Sequence, residues 1–427
     1  MNETRFKKTD IGEVPEDWDI DSLGNIINVL TDYTANGSFA SLAENVTYLD
    51  HIDYARLVRL TDLRANFKNN GIYVSKSSYD FLKKSKLHGG EILLANVGAY
   101  AGYSFVYPKK MPFVGTLGPN MFLIKLDNNR IQDSYGIYIF IYGCVFDQLL
   151  SKATSSAQPK LNKDNVRECL FSCPKDKKEQ QRIATVLSDI DVLLSTLNKK
   201  IEKKKLIKQG VMQQLLTGKK RLNGFTEPWR EKRLGELCQL FGRIGFRGYT
   251  KADLVRKGEG AITFSPSDIH DNQLDCTNCT YISMFKYEES PEIKVYNGDI
   301  IFCKTASIGK CAIVKDMNEK ATINPQFVVM KNFDCSNVFL YYKLVERDFQ
   351  ERVKGITGGS TIPTMSQEKL KEQILLMPTL SEQIAIATVL SSMDKEIEEL
   401  ETKRAKYEQV KQGMMQQLLT GKIRLID

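Results

Sequence analysis

Two stretches of this chain, one starting at Glu179 and one at Glu382, lie on each other without a gap for about 44 residues, with about 25 identities. The first opens EQQRIATVLSDID and closes KQGVMQQLLTGKKRL; the second opens EQIAIATVLSSMD and closes KQGMMQQLLTGKIRL. Chance does not produce such a match, so any fold must contain the same element twice.

The sequence between these stretches matches more faintly but in the same order. WDIDSLGNI at Trp18 resembles WREKRLGEL at Trp229, and GGEILLANVGAYAG from Gly89 resembles NGDIIFCKTASIG from Asn297. GTLGPNMFLI at Gly115 pairs with KATINPQFVV at Lys320, and ATSSAQPKLNKD at Ala153 with GITGGSTIPTMSQE at Gly355. One unit was duplicated; its constant part was kept and its globular part diverged. At 427 residues the chain also exceeds what one core ordinarily organises. Four segments result: 1–173 globular, 174–222 helical, 223–377 globular, 378–427 helical.

The constant segments read as helices. Leu187, Ile190, Leu194, Leu197, Ile201 and Val211 follow the alternating three-and-four spacing of a coiled-coil seam, as do Leu390, Met393, Ile397, Leu400, Tyr407 and Met414. Polar residues break the seams at Lys204 and Lys208, and at Arg404 and Lys411. Pro174 and Pro378 mark the entries, Gly218 and Gly421 the exits. A helix of roughly 38 residues is about 57 Å long. The first carries Lys199, Lys200, Lys203, Lys204, Lys205 and Lys208; the second carries Glu396, Glu398, Glu399 and Glu401 at a matching height. Charge runs are ordinarily solvated faces, but two heptad helices of opposite bias favour pairing with each other. Antiparallel pairing brings Glu396 to Glu401 near Asn198 to Lys203, although direction does not follow from sequence alone.

The globular segments, near Trp18–Cys173 and Trp229–Met377, have short β-branched and aromatic runs between turn residues. GIYIFIYGCVFDQLLSKA and NVFLYYKLVERDFQERVKG are amphipathic and predict one helix in each. The fold class is α+β.

Composition narrows the function. A net charge of +8 suits a polyanionic partner. The nine cysteines are odd in number and sparse, unlike a disulfide framework, and no apolar run is long enough to span a bilayer. The expectation is a reduced, cytoplasmic, soluble protein with no membrane partner.

Catalytic constellations are missing. The three histidines, His51, His88 and His270, lack metal-ligand or triad context, and no phosphate-binding GxxxxGK[ST] or GxGxxG loop occurs. Asn324-Pro325-Gln326-Phe327 is close to the NPP[FY] motif of adenine-N6 methyltransferases, but its third residue departs and the other copy reads Gly118-Pro119-Asn120-Met121. A turn entering a strand is the expected role. Cys276 and Cys279 form a CxxC, with Cys303 and Cys311 beyond; the second pair has the wrong spacing for a zinc knuckle. No catalytic or metal residue is expected.

Two variable domains, each followed by a helix that starts EQ…IA…L…D and ends QQLLTGK, resemble the specificity subunit of a type I restriction–modification system across essentially the whole chain. The resemblance implies two target-recognition domains, each reading one half of a bipartite, asymmetric sequence in double-stranded DNA. It implies that the helices pair as an antiparallel coiled-coil spacer and dock two methyltransferase subunits, with restriction (motor-nuclease) subunits completing the enzyme. S-adenosylmethionine, ATP and Mg would belong to those partners. Two readers on a helical spacer would meet half-sites about one helical turn apart, roughly 34 Å.

DNA-contact candidates are polar or basic residues in turn-like stretches at matching or nearby places in the two copies. In the first domain these are Asn96, Tyr100, Lys109, Lys110, Ser155, Gln158 and Lys160. In the second they are Arg243, Arg247, Lys304, Thr305, Ser307, Lys310, Ser360 and Thr361. Gln213, Gln214, Leu215, Leu216 and their partners Gln416, Gln417, Leu418, Leu419 are candidates for docking or for helix packing. The alternative of another class is a coiled-coil scaffold presenting two protein-binding domains without DNA specificity.

Overall fold

Short runs rich in valine, isoleucine and phenylalanine become strands wherever turn residues bound them, and that rule builds the same pair of sheets twice. The computed structural model describes residues 4–153, 159–356 and 363–426. They form two compact units, 1–197 with 403–427, and 198–402. The four sequence segments are thus regrouped: each unit holds one globular part with a portion of both long helices.

In the first unit Ile72–Val74, Ala55–Val58, Val114–Leu117 and Lys86–Leu87 form one sheet, in that order, with the middle two strands parallel. Ile27–Asp32, Met121–Leu126, Ile92–Ala95 and Ser104–Val106 form the other, antiparallel throughout. In the second unit Leu254–Val255, Thr280–Ser283, Gly260–Phe264, Ala321–Ile323 and Lys294–Val295 make the mixed sheet. Gln239–Gly242, Phe327–Lys331, Ile300–Cys303 and Cys311–Ile313 make the antiparallel one.

Each amphipathic stretch expected as one helix is two. Asp133–Ile141 and Cys144–Ala153 are parted at Gly143, whose φ of +81° interrupts the helical path. Asn337–Val345 and Arg347–Ile356 are parted at Glu346, which is extended.

The long helices span Lys177–Leu215 and Leu380–Leu418. Gly218 (φ +71°) and Gly421 (φ +69°) turn the chain away just beyond their ends, in the left-handed region that glycine enters without penalty. Within each unit the helix portions run antiparallel, since residues late in one helix meet residues early in the other. Lys411 meets Asp191 at 2.6 Å in the first unit; in the second, Lys204 meets Glu396 and Lys205 meets Glu401, both at 2.7 Å, and Lys208 pairs with Asp394. Glu396 and Glu401 of the acidic run therefore meet Lys204 and Lys205, just beyond the 198–203 expected. The polar seam positions Lys204, Lys208 and Lys411 are the cationic halves of these pairs.

Those end contacts explain the EQ signature. Arg221 grips the buried Glu382 through Nε at 2.5 Å, and the Trp229 indole donates to the same carboxylate at 3.1 Å. Arg424 grips the buried Glu179 at 2.7 Å and reaches Asp17, whose carboxyl is held below its usual range by that bond. The next residue works too: Gln180 donates to Pro174 O and accepts from Gln132 N, and Gln383 does the same with Pro378 O and Ser336 N. Helix and globular part are also tied through Tyr138 to Asp191 and Tyr342 to Asp394, at 2.9 and 2.6 Å.

Apolar burial completes the docking. Ile183, Leu187, Met415 and Leu418 join the first unit's main core around Trp18, Phe140 and Phe171. Leu215, Leu216, Ile386 and Leu390 join the second unit's core around Phe302, Phe339 and Tyr342. Each such side chain contributes roughly 1.5–3 kcal/mol when fully buried.

Candidate nucleic-acid interface

The hairpin Ile92–Ala95/Ser104–Val106 of the first unit and Ile300–Cys303/Cys311–Ile313 of the second end in loops held by the same hydrogen bonds. In the first, Asn96 N donates to Asn120 O (3.2 Å), Leu161 N to Asn96 O (2.8 Å), Gly98 N to Pro159 O (2.9 Å) and Gly102 N to Ala95 O (2.9 Å). In the second, Lys304 N donates to Gln326 O (2.8 Å), Met365 N to Lys304 O (2.8 Å), Ala306 N to Pro363 O (2.9 Å) and Gly309 N to Cys303 O (3.1 Å). Isolated bridges pair Val97 with Lys160 and Thr305 with Thr364. Even the backbone twist recurs: Gly98 has φ +89° and Ala306, at the matching place, φ +63°. For alanine that conformation costs about 1–2 kcal/mol, so the clasp holds a strained residue rather than a slack loop.

A rigid frame thus presents different side chains in the two units. Asn96 stands where Lys304 stands, Val97 where Thr305 does, Lys160 where Thr364 does, and Asn120 where Gln326 does. A scaffold held by main-chain bonds while its side chains vary is what selective recognition requires. The NPQF stretch belongs to this frame. Asn324 Oδ1 accepts from Gln326 N at 2.9 Å, its Nδ2 meets Gln326 Oε1 at 3.0 Å, and the turn enters the strand Phe327–Lys331.

The other candidates divide sharply. Asn96, Lys160, Lys304 and Thr305 sit on the clasped frame. Tyr100 lies in the same loop, with the exposed Arg64 guanidinium stacked 4.0 Å from its ring centroid. Ser307 is half-buried in the second loop, where its carbonyl accepts from Lys310 N. Lys109 and Lys110 are exposed, and Gly90 N bonds to Tyr107 O beside the start of Ile92–Ala95, so they stand at the opposite end of the hairpin from Asn96. Arg243 is only 7% exposed. Its Nε donates to Ile323 O and its terminal nitrogens reach Arg247 O and Thr322 Oγ1, while burial lowers its affinity for the proton. Its guanidinium is therefore turned inward, bracing the unit.

Lys310 likewise directs its ammonium to Pro266 O (2.7 Å) and Ile269 O (3.2 Å), and half-buried Arg247 lies 3.6 Å from Glu292. Ser155, Gln158, Ser360 and Thr361 lie outside the described residues. Sequence reasoning missed Arg64, Asn120, Gln326 and Thr364. The aligned prolines Pro159 and Pro363, each anchoring a clasp, were the available signal for the last of these.

The docking candidates separate by chemistry. Leu215, Leu216 and Leu418 are buried and Leu419 packs against the first core, whereas Gln213, Gln214 and Gln416 are exposed and Gln417 is half-buried. Of the four cysteines considered for metal, Cys276, Cys279 and Cys303 pack into one apolar cluster and Cys311 into another. Among the described residues no three His, Cys, Asp or Glu side chains gather as metal ligands, and no helix is long and apolar enough to cross a membrane.

Two α+β units of one plan, each docked on portions of two antiparallel helices, define the class: a duplicated recognition protein. The family model for the type I restriction modification DNA specificity domain matches residues 15–206 and again 226–411, and the chain belongs to that family. It is 27% identical, over 99% of its length and 97% of the relative's, to a Methanocaldococcus jannaschii protein provisionally named the MjaX type I restriction enzyme specificity subunit. To the MjaVIII specificity subunit of the same organism it is 24% identical over the same shares. The crystal structure of a type I S subunit from M. genitalium shares the fold, with a TM-score of 0.57 at 14% identity, over 94% of this chain and 96% of that one. Specificity subunits recognise the DNA target and are not catalytic; the chemistry resides in partner subunits.

Proposed function

We propose that this chain reads a bipartite, asymmetric DNA sequence, one half with each unit, and directs adenine methylation and restriction by partner subunits. The observation that carries the reading is the pair of clasped loops: one hydrogen-bonded frame, built twice, bearing different side chains. Identical side chains would read two identical half-sites; Asn96 against Lys304 and Lys160 against Thr364 favour two different ones. Exposed Lys160 supplies positive charge at its loop, as a phosphate-binding surface needs, and half-buried Lys304 does so at the other.

Partners are assigned to the constant helices. Most identities between the two repeats are accounted for by cores and clamps, but Gln209 and Gln412, Gly210 and Gly413, and Gln213 and Gln416 are exposed in both copies. Folding does not require them to stay the same, and two identical surfaces suit two copies of one partner, a methyltransferase subunit. S-adenosylmethionine, ATP and Mg are then brought by the methyltransferase and motor-nuclease partners.

The test is co-expression with an adenine methyltransferase subunit from the same source, followed by mapping of methylated adenines. One bipartite motif is the expected outcome. Methylation by this chain alone, or an unchanged motif after the 1–173 domain is exchanged for a relative's, refutes the reading.

A further inference from the structure

Beside the clasped loop of the first unit lies a cleft of about 770 Å³. That volume is within the roughly 300–1,000 Å³ that encloses small organic groups. Met121, Phe122 and Leu161 give it an apolar floor, and Tyr33 forms a wall, its hydroxyl accepting from Tyr48 at 3.2 Å. Three features of its rim point to one kind of occupant.

Phe39, at the start of the helix Phe39–Asn45, is 83% exposed although it is a large aromatic side chain. Exposed aromatics beside basic residues are stacking platforms for bases. The Asn96 side-chain oxygen is buried and has no hydrogen-bond partner among the described residues. Buried polar atoms are almost always satisfied, so an unpaired acceptor on a residue that lines the cleft marks a place for a donor. An asparagine amide matches the adenine edge, accepting from the N6 amino group and donating to N7. Finally, exposed Lys160 lines the same cleft and is tied through its backbone to Val97.

The second unit uses the matching place differently. Asp32 faces Phe122 across the sheet as Gly242 faces Val328, so the residues that follow, Tyr33 and Arg243, correspond. Where Tyr33 walls the cleft, Arg243 carries a guanidinium bonded to Ile323 O and Thr322 Oγ1 and packed on Tyr249.

We infer that the first unit's cleft receives one nucleobase of the target swung out of the duplex stack, with Phe39 stacking on it, Asn96 reading its edge and Lys160 holding its phosphate. Adenine is the base that Asn96 fits. This rests on the DNA-reading function proposed above and adds a mode of reading to it.

The experiment uses the full chain without other subunits, so that no partner extrudes a base, and duplexes carrying the mapped motif. In each duplex one base of the first half-site is left in place and its complement is replaced to create a mismatch. Extrusion is opposed by pairing, and a mismatch removes that opposition. Binding is therefore expected to tighten roughly tenfold at one position only. 2-Aminopurine placed next to that position, which leaves the read base intact, should brighten on binding as it loses its stacking neighbour. Both signals should be lost in Phe39→Ala and Asn96→Ala and retained in Phe285→Ala, an exposed aromatic of the second unit. Sequence-specific binding with no tightened position, or with one that both variants leave intact, overturns the cleft and leaves DNA reading standing. Absence of sequence-specific binding overturns both.

Discussion

Arg424 Nε lies 2.7 Å from Glu179 Oε1, joining the end of the second repeat to the beginning of the first. Arg221 and Glu382 make the reciprocal contact in the other unit. The repeat therefore holds its sequence because each unit needs the start of one copy and the finish of the other. A change in either copy would leave one clamp mismatched.

Removing one partner should show the size of that constraint. Glu179 is buried, and a buried carboxylate stripped of its cation costs about 3–5 kcal/mol. Arg424→Met should lower unfolding stability by that order, and adding Glu179→Gln should recover much of the loss. Urea denaturation of the two variants measures this; a loss below about 1 kcal/mol in Arg424→Met would mean that the clamp is only a surface ion pair.

Acid should weaken the first unit through Asp62. Burial pushes its carboxyl up, but hydrogen bonds from Arg56, the Arg59 backbone and Asn69 outweigh this and hold it below its ordinary value. The folded pKa is depressed, so the contribution is present above the unfolded value, roughly 3.9, and is lost as pH falls through the lower folded one. Thermal melts of Asp62→Asn should lie below wild type at neutral pH, and the gap should narrow below about pH 4. A gap that stays constant into acid would assign the stability to packing instead.

Much of this was legible in the sequence because period and repetition are properties of the chain itself. The long helices and their terminal glycines followed from spacing at residues such as Leu187, Ile190 and Leu390, whereas the order of the strands in each sheet did not. The site was harder. Arg243 and Lys304 are both cationic residues near turns, yet one turns inward to the Ile323 carbonyl and the other stands on the clasp. Lys109 lies at the opposite end of its hairpin from Asn96, and nearness in sequence does not say at which end of a strand a residue emerges. The long-range main-chain bonds, among them those to Pro159 and Pro363, reveal which loops are held.

Arg243 and Lys304 accordingly should fail in different ways. Arg243→Ala removes the donor for the Ile323 carbonyl and should cost stability, about 1–3 kcal/mol, without altering which bases are methylated. Lys304→Ala leaves the clasp intact, since its bonds there are main-chain bonds. It should relax or change the second half-site, by about 1–3 kcal/mol per lost base contact, or flatten the salt dependence if it meets a phosphate. Methylation maps and melting curves on both variants decide it; an unchanged map and unchanged salt slope in Lys304→Ala would remove that residue from the interface.

The constant helix ends should separate packing from docking in the same manner. Leu216 is fully buried in the second core, so Leu216→Ala should destabilise that unit by about 2–5 kcal/mol. Gln213 and Gln416 are exposed and identical in the two copies. Replacing both with alanine should move stability by less than about 0.5 kcal/mol while reducing the methyltransferase that co-purifies with the chain. Single replacements should halve the captured partner, since each unit presents its own surface. Unchanged capture in the double variant, measured by mass of the purified complex, would move the docking surface away from these glutamines. Their identity would then be left over from the duplication, with no partner maintaining it.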